Sequence, residues 1–85
     1  MNNQDKRLGF VGIIIEDREN SAPHVNAVLH RFSSCILART GLPNAKGTVS
    51  VITLVVDITT DQLGILTGNL GVISGVSVKS GLAKR

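Results

Sequence analysis

An apolar segment closing on an acid, Ile13-Ile14-Ile15-Glu16, returns 41 positions later as Leu54-Val55-Val56-Asp57. Each copy is followed by a stretch of helical periodicity and then by a short second strand. A strand-helix-strand unit duplicated within 85 residues leaves very few ways to fold.

The elements can be placed from the pattern. Leu8 to Glu16 is apolar at alternate positions of both faces, as in an interior strand covered on both sides. After the acidic turn Glu16 to Glu19, Asn20 or Ser21 can cap a helix and Pro23 suits its first turn. Val25, Val28, Leu29 and Phe32 then recur at i, i+3, i+4 and i+7. Ser33-Ser34 ends that helix. Cys35 to Thr40 reads as a short edge strand closed by Gly41-Leu42-Pro43, with Asn44 to Gly47 as the following loop. From Val49 to Ile58 the residues alternate, with Ser50, Ile52, Leu54, Val56 and Ile58 on one face and Val49, Val51, Thr53, Val55 and Asp57 on the other. Thr59 and Gln62 form a capping box for a second helix, which turns Leu63, Leu66, Leu70 and Ile73 inward and has Gly71 just past its end. Gly75 leads into a last strand, Val76 to Ser80.

The order is βαββαβ. With right-handed crossovers it packs as an α+β, ferredoxin-like sandwich, a four-stranded antiparallel sheet with both helices on one face. The chain is expected to be a single domain over residues 1–85, with an ordered core of about 7–80.

Two helices cover only one side of such a sheet. Val49, Val51 and Val55, with alternate residues of the first strand, make the other side apolar as well, and a soluble monomer seldom shows so large a patch. A chain of this size buries only roughly 60–65% of its unfolded surface, and Phe10 and Phe32 are its only aromatics. Both points predict a homo-oligomer.

Other classes are disfavoured. The single cysteine, Cys35, permits no internal disulfide. The longest apolar run, Leu8 to Ile15, falls far short of the ~20 residues that span a bilayer. Lys6-Arg7 imitates the basic start of a signal peptide, but acids follow the run at once and no small-residue cleavage site appears, so a cytoplasmic protein is expected. Net charge is +3, yet the nine basic residues are scattered and have no interleaved aromatics for base stacking. Direct contact with nucleic acid is not indicated.

No catalytic constellation is visible. Glu16 and Asp17 are adjacent and point to opposite faces, and Ser33-Ser34 and Thr59-Thr60 have no histidine at a useful spacing. The glycines form no phosphate loop. His24 and His30 stand about 240° apart around a helix, so they cannot chelate one ion within a chain, and neither a metal nor a cofactor is predicted. Asn26 and His30, at i and i+4 beside the apolar stripe, could line a cleft, although a local hydrogen bond at the core's edge is the simpler explanation. Gly64 and Gly68 each cost a helix roughly 1 kcal/mol, which suggests a close approach, most simply between helices of an oligomer.

Three segments carry a family likeness. Val25-Asn26-Ala27-Val28-Leu29-His30-Arg31-Phe32, Ile36-Leu37-Ala38-Arg39-Thr40-Gly41-Leu42-Pro43, and Leu66 through Lys79 resemble the regulators of the iron-only hydrogenase system. The likeness runs from about residue 8 to residue 80. It implies an ACT-like ferredoxin fold, similar to the ligand-sensing domain of the nickel-responsive repressor, assembled as a dimer or tetramer. The chain departs from that pattern at Asn69, where lysine is usual, at Asn44, where an aromatic is usual, and at Thr40, where methionine is usual. Neither the nickel domain's paired strand histidines nor a ribbon-helix-helix segment is present.

The reading that follows is a regulatory module that senses a small molecule or drives assembly, not an enzyme. Its ligand is expected at a subunit boundary near the first strand-helix turn and the segment Arg39 to Pro43, with Asn26, His30, Arg39, Gly41 and Pro43 as candidate ligand-binding residues. The alternative is a regulator that binds DNA directly.

Overall fold

The computed structural model describes residues 5–84. Strand β1 is Arg7–Ile15, helix α1 is Arg18–Arg31, and a single 3-10 turn, Ser33–Cys35, leads into β2, Ile36–Lys46. Then come β3, Val49–Ile58, helix α2, Thr60–Gly71, and β4, Val76–Leu82. The sheet order is β2-β3-β1-β4, and every neighbouring pair is antiparallel. The two copies of the repeated motif are thus the central strands, with Val11 opposite Leu54 and Ile13 opposite Ile52.

The core lies between this sheet and the helices. It joins Val11, Ile13 and Ile15 of β1 to Ile52, Leu54, Val56 and Ile58 of β3. Val25, Val28 and Leu29 of α1 and Leu66 and Leu70 of α2 close over them. The alternate set of β1 and β3 faces away from the helices: Leu8 is 57% exposed, Phe10 54%, and Ile14 and Val55 44% each. The expected covered and uncovered faces are both present.

The structure corrects several local expectations. Helix α1 is capped by Asp17, not by Asn20 or Ser21; the Asn20 amide donates to Asp17 Oδ1 at 3.5 Å and its side chain to Oδ2 at 2.7 Å. An aspartate cap two residues before an acid, Glu19, suits the positive end of the helix. Pro23 therefore sits at the sixth helical position, beyond the first turn, and Ser21 lies inside the helix, buried. Ser21 instead ties α1 to the α2–β4 turn by donating to the Ser74 carbonyl at 2.8 Å.

Cys35 belongs to the 3-10 turn and is buried, rather than opening the edge strand. Strand β2 runs on through Gly41-Leu42-Pro43 to Lys46, where a loop was expected. Proline is tolerated there because β2 lies at the edge and its ladder with β3 shifts register between Leu42 and Lys46. Asn44 takes up that irregularity in the left-handed region, φ 53°, and its amide donates to Ser50 Oγ at 3.2 Å. The connection to β3 contracts to Gly47 and Thr48.

Helix α2 has the expected capping box. Gln62 N–H donates to Thr59 Oγ1 and Thr59 N–H to Gln62 Oε1, both at 3.1 Å. Gly71 is its last helical residue rather than the one beyond, and the left-handed turn falls at Gly75, φ 75°. Strand β4 extends past Ser80 to Leu82.

Candidate functional site

Three connections meet at the start of α1. The Glu16 amide donates to the Gly75 carbonyl at 2.9 Å, Thr48 Oγ1 donates to the Glu16 carbonyl at 2.9 Å, and the Arg18 amide donates to the Thr48 carbonyl at 3.2 Å. The β1–α1 turn is thereby held by the β2–β3 turn on one side and the α2–β4 turn on the other. Arg18, Ala22 and Asn26 follow at four-residue intervals along one helix face, which looks toward the edge strand β2.

On β2, Arg39 pairs with Leu54 and Gly41 with Ile52, so both belong to the helix-covered face of the sheet. The Arg39 side chain reaches across to α1, where Nη2 donates to Asn26 Oδ1 at 2.6 Å. Gly41 contributes no side chain, and a Cβ built on it would meet nothing within 4 Å. Its φ is not positive, so the backbone does not demand glycine there. The missing side chain leaves space.

That space is a cavity of about 210 Å³ between α1 and the β2–β3 edge. Its floor is buried and mostly apolar, with Ile15, Ile52 and the Ser50 hydroxyl. Its mouth is the exposed set Arg18, Asn26, Arg39 and Pro43. A neighbouring cavity of about 380 Å³ lies farther along α1 and is lined by His30, Ser33 and Ile36. Asn26 and Arg39 line both, so their hydrogen bond is the wall between them.

Of the five residues singled out from the sequence, the structure gathers Asn26, Arg39, Gly41 and Pro43 around one cavity and puts His30 in the adjoining one. Arg18 and Ser50 were missed. Arg18 was hidden by the misplaced cap: with α1 starting at Arg18, the spacing Arg18, Ala22, Asn26 places it on the same face as Asn26. Ser50 shares a face of β3 with Ile52, Leu54, Val56 and Ile58, as the alternation predicts, but it sits at the end of the strand where the cavity opens. Among the described residues no three of His, Cys, Asp and Glu gather as a metal group, and no helix is long and apolar enough to cross a membrane.

Residues 7–80 match the model of the TM1266-like family, whose proposed role is that of an iron-only hydrogenase system regulator. The chain belongs to that family. Among solved structures it is similar to the uncharacterized protein TM1266 from Thermotoga maritima, at 43% identity and a TM-score of 0.87 over 93% of this chain and 99% of that one. The family resemblance and the ACT-like ferredoxin fold expected from the sequence are both established by these matches.

Two more distant structures share the fold. The ACT domain of a GTP pyrophosphokinase from Chlorobium tepidum superposes with a TM-score of 0.75 at 24% identity, covering 89% of this chain and 99% of that one. A nitrogen regulatory PII-like protein from Thiomonas intermedia, bound to ADP, AMP and bicarbonate, gives 0.52 at 20% identity, over 92% and 91% of the two chains. No curated protein matches the chain.

Proposed function

We propose that this chain is a small-molecule-sensing regulatory module that works as a homo-oligomer in control of an iron-only hydrogenase system. Its effector occupies the cavity between α1 and β2, where Asn26, Arg39, Gly41 and Pro43 meet it and His30 borders it from the adjoining cavity. The observation that carries this reading is the space at Gly41. An edge strand gains from a β-branched residue, yet this one keeps a glycine that its backbone does not require, facing a cavity with a fixed arginine on its wall. Nothing resembling a nucleophile with its base, or a pair of catalytic carboxylates, lines that cavity.

A thermal-shift screen of amino acids, nucleotides, bicarbonate and metal ions tests it. ADP, AMP and bicarbonate belong in the screen because a protein of similar fold binds them. A compound at ten times its Kd adds about 1.4 kcal/mol, which raises Tm of a chain this size by roughly 6–11 °C. Gly41→Val puts a branched side chain into the cavity, where a Cβ meets nothing within 4 Å, and should fold normally while weakening or losing the shift. A screen in which no compound moves Tm, or one whose hit is indifferent to Gly41→Val, removes the cavity as the effector site.

A further inference from the structure

Two guanidinium groups, Arg18 and Arg39, stand on the wall of the Gly41 cavity, and no carboxylate lines it. Arg39 donates to a neutral partner, Asn26 Oδ1. Arg18 occupies the first position of α1, where a cation opposes the helix dipole and an acid would be favoured. Acids adjoin Arg18 in the chain, Asp17 and Glu19, but neither lines the cavity, so an anion entering it meets two guanidinium groups and no carboxylate.

We propose that the effector is a small oxyanion, a carboxylate or phosphate head held jointly by Arg18 and Arg39, with a short apolar body resting on Ile15 and Ile52. This rests on the preceding reading of the cavity and names the chemistry of what enters it. Arg39 uses one Nη2–H on Asn26, at 2.6 Å, and keeps four N–H donors for the ligand. Asn26 is thus a positioning residue, which fixes the plane of the guanidinium before the anion arrives. The Ser50 hydroxyl, which accepts the Asn44 amide, has its own proton to donate from the floor.

Size and lining bound the rest of the ligand. A cavity of about 210 Å³ is below the ~300–1,000 Å³ of drug-sized sites. Neither Phe10 nor Phe32 lines it, so it offers a nucleobase no aromatic platform. The apolar floor favours a carboxylate bearing a few branched carbons over a bare inorganic ion.

The test titrates the full chain, by calorimetry and by amide chemical shifts, with four probes: 3-methylbutanoate, inorganic phosphate, the neutral 3-methylbutan-1-ol and the cationic 3-methylbutylamine. The carboxylate should bind saturably, weaken with added salt, and shift the amides of Arg18, Asn26 and Gly41. Arg18→Gln and Arg39→Gln should each lower its affinity about tenfold or more, since a charged hydrogen bond is lost. Asn26→Asp, which places a carboxylate against Arg39, should do the same, while far-ultraviolet circular dichroism stays unchanged. Saturable binding of phosphate with the same arginine dependence supports the oxyanion and assigns its head to phosphate.

The proposal is overturned if the alcohol or the amine binds as well as the anions, if both glutamine variants bind like the parent, or if neither anion binds at millimolar concentration. In those cases a screening hit that Gly41→Val abolishes would leave the cavity as an effector site and remove only its oxyanion chemistry. Absence of any such hit would remove both.

Discussion

Glycines show how differently one residue type can be used in a small chain. A Cβ on Gly9 would lie 2.4 Å from the Gly81 carbonyl oxygen and 2.5 Å from Leu82 Cδ2, and one on Gly81 would lie 2.8 Å from the Phe10 ring. Both glycines therefore let β1 and β4 approach, with the Phe10 ring lying over Gly81 across the pair. Gly9→Ala should cost about 1–3 kcal/mol in urea unfolding, because backbone has to move. Gly64 and Gly68 are the opposite case: exposed on α2, with nothing within 4 Å of an added Cβ. Within the chain no close approach requires them, and each alanine replacement should raise stability by about 0.5–1 kcal/mol in the same measurement. A loss at either position would instead mark the contact between subunits that the sequence suggested. The two cases look alike in sequence, because what surrounds a glycine is set by strands and helices far away along the chain.

Legibility at the level of elements follows the same division between local and distant causes. Helix α2 was legible because its start signal is self-contained: Thr59 and Gln62 satisfy each other's backbone amides whatever else the chain does. Thr59→Ala should cost about 1 kcal/mol, and adding Gln62→Ala should cost less than the sum, since the two bonds belong to one box. The start of α1 was read too late because Asn20, Ser21 and Pro23 together imitate a start signal, whereas Asp17 caps through an ordinary aspartate three residues before Asn20. That error concealed Arg18. Ser21 holds the helix to the turn before β4, and Ser21→Ala should lower stability by about 1 kcal/mol, because the part-buried bond from the Ser21 hydroxyl to the Ser74 carbonyl is lost. Strand β2 was read too short for a different reason. Gly41-Leu42-Pro43 is a turn by local preference, and only pairing with β3 on one side keeps it extended. Asn26, Arg39, Gly41 and Pro43 come together around one cavity under either assignment, because a polar residue beside the apolar stripe of α1 and the Arg39–Pro43 segment at the sheet edge face each other wherever β2 ends.

At the scale of the whole molecule, the question is what covers the other side of the sheet. Phe10 and Val55 face each other directly across β1 and β3 at its middle, flanked by Leu8 and Ile14. A four-stranded face of this length measures on the order of 500 Å² in plan, before side-chain relief is counted. That approaches the ~600–1,000 Å² per partner of stable interfaces. The occupant we propose is a second copy, and Val55→Lys should disperse it, since two symmetry-related copies would each bury an unpaired ammonium. Light scattering at micromolar concentration should then read a monomer, with circular dichroism unchanged because Val55 is already 44% exposed in the single chain. The consequence reaches the ligand site. Leu42 and Val51 pair with each other on this same uncovered face at the β2 edge, and both also line the Gly41 cavity. A partner seated on the sheet would therefore adjoin the rim of the site, and the proposed effector binding and assembly would share Leu42 and Val51. Coupling between them is reciprocal. The monomeric Val55→Lys variant should bind the effector more weakly than the parent, by about 5- to 150-fold if the coupling is of ordinary size. Saturating effector should in turn tighten the parent oligomer by the same factor in analytical ultracentrifugation. Equal affinity in monomer and oligomer would show that the cavity works within one chain, with the sheet face serving assembly alone.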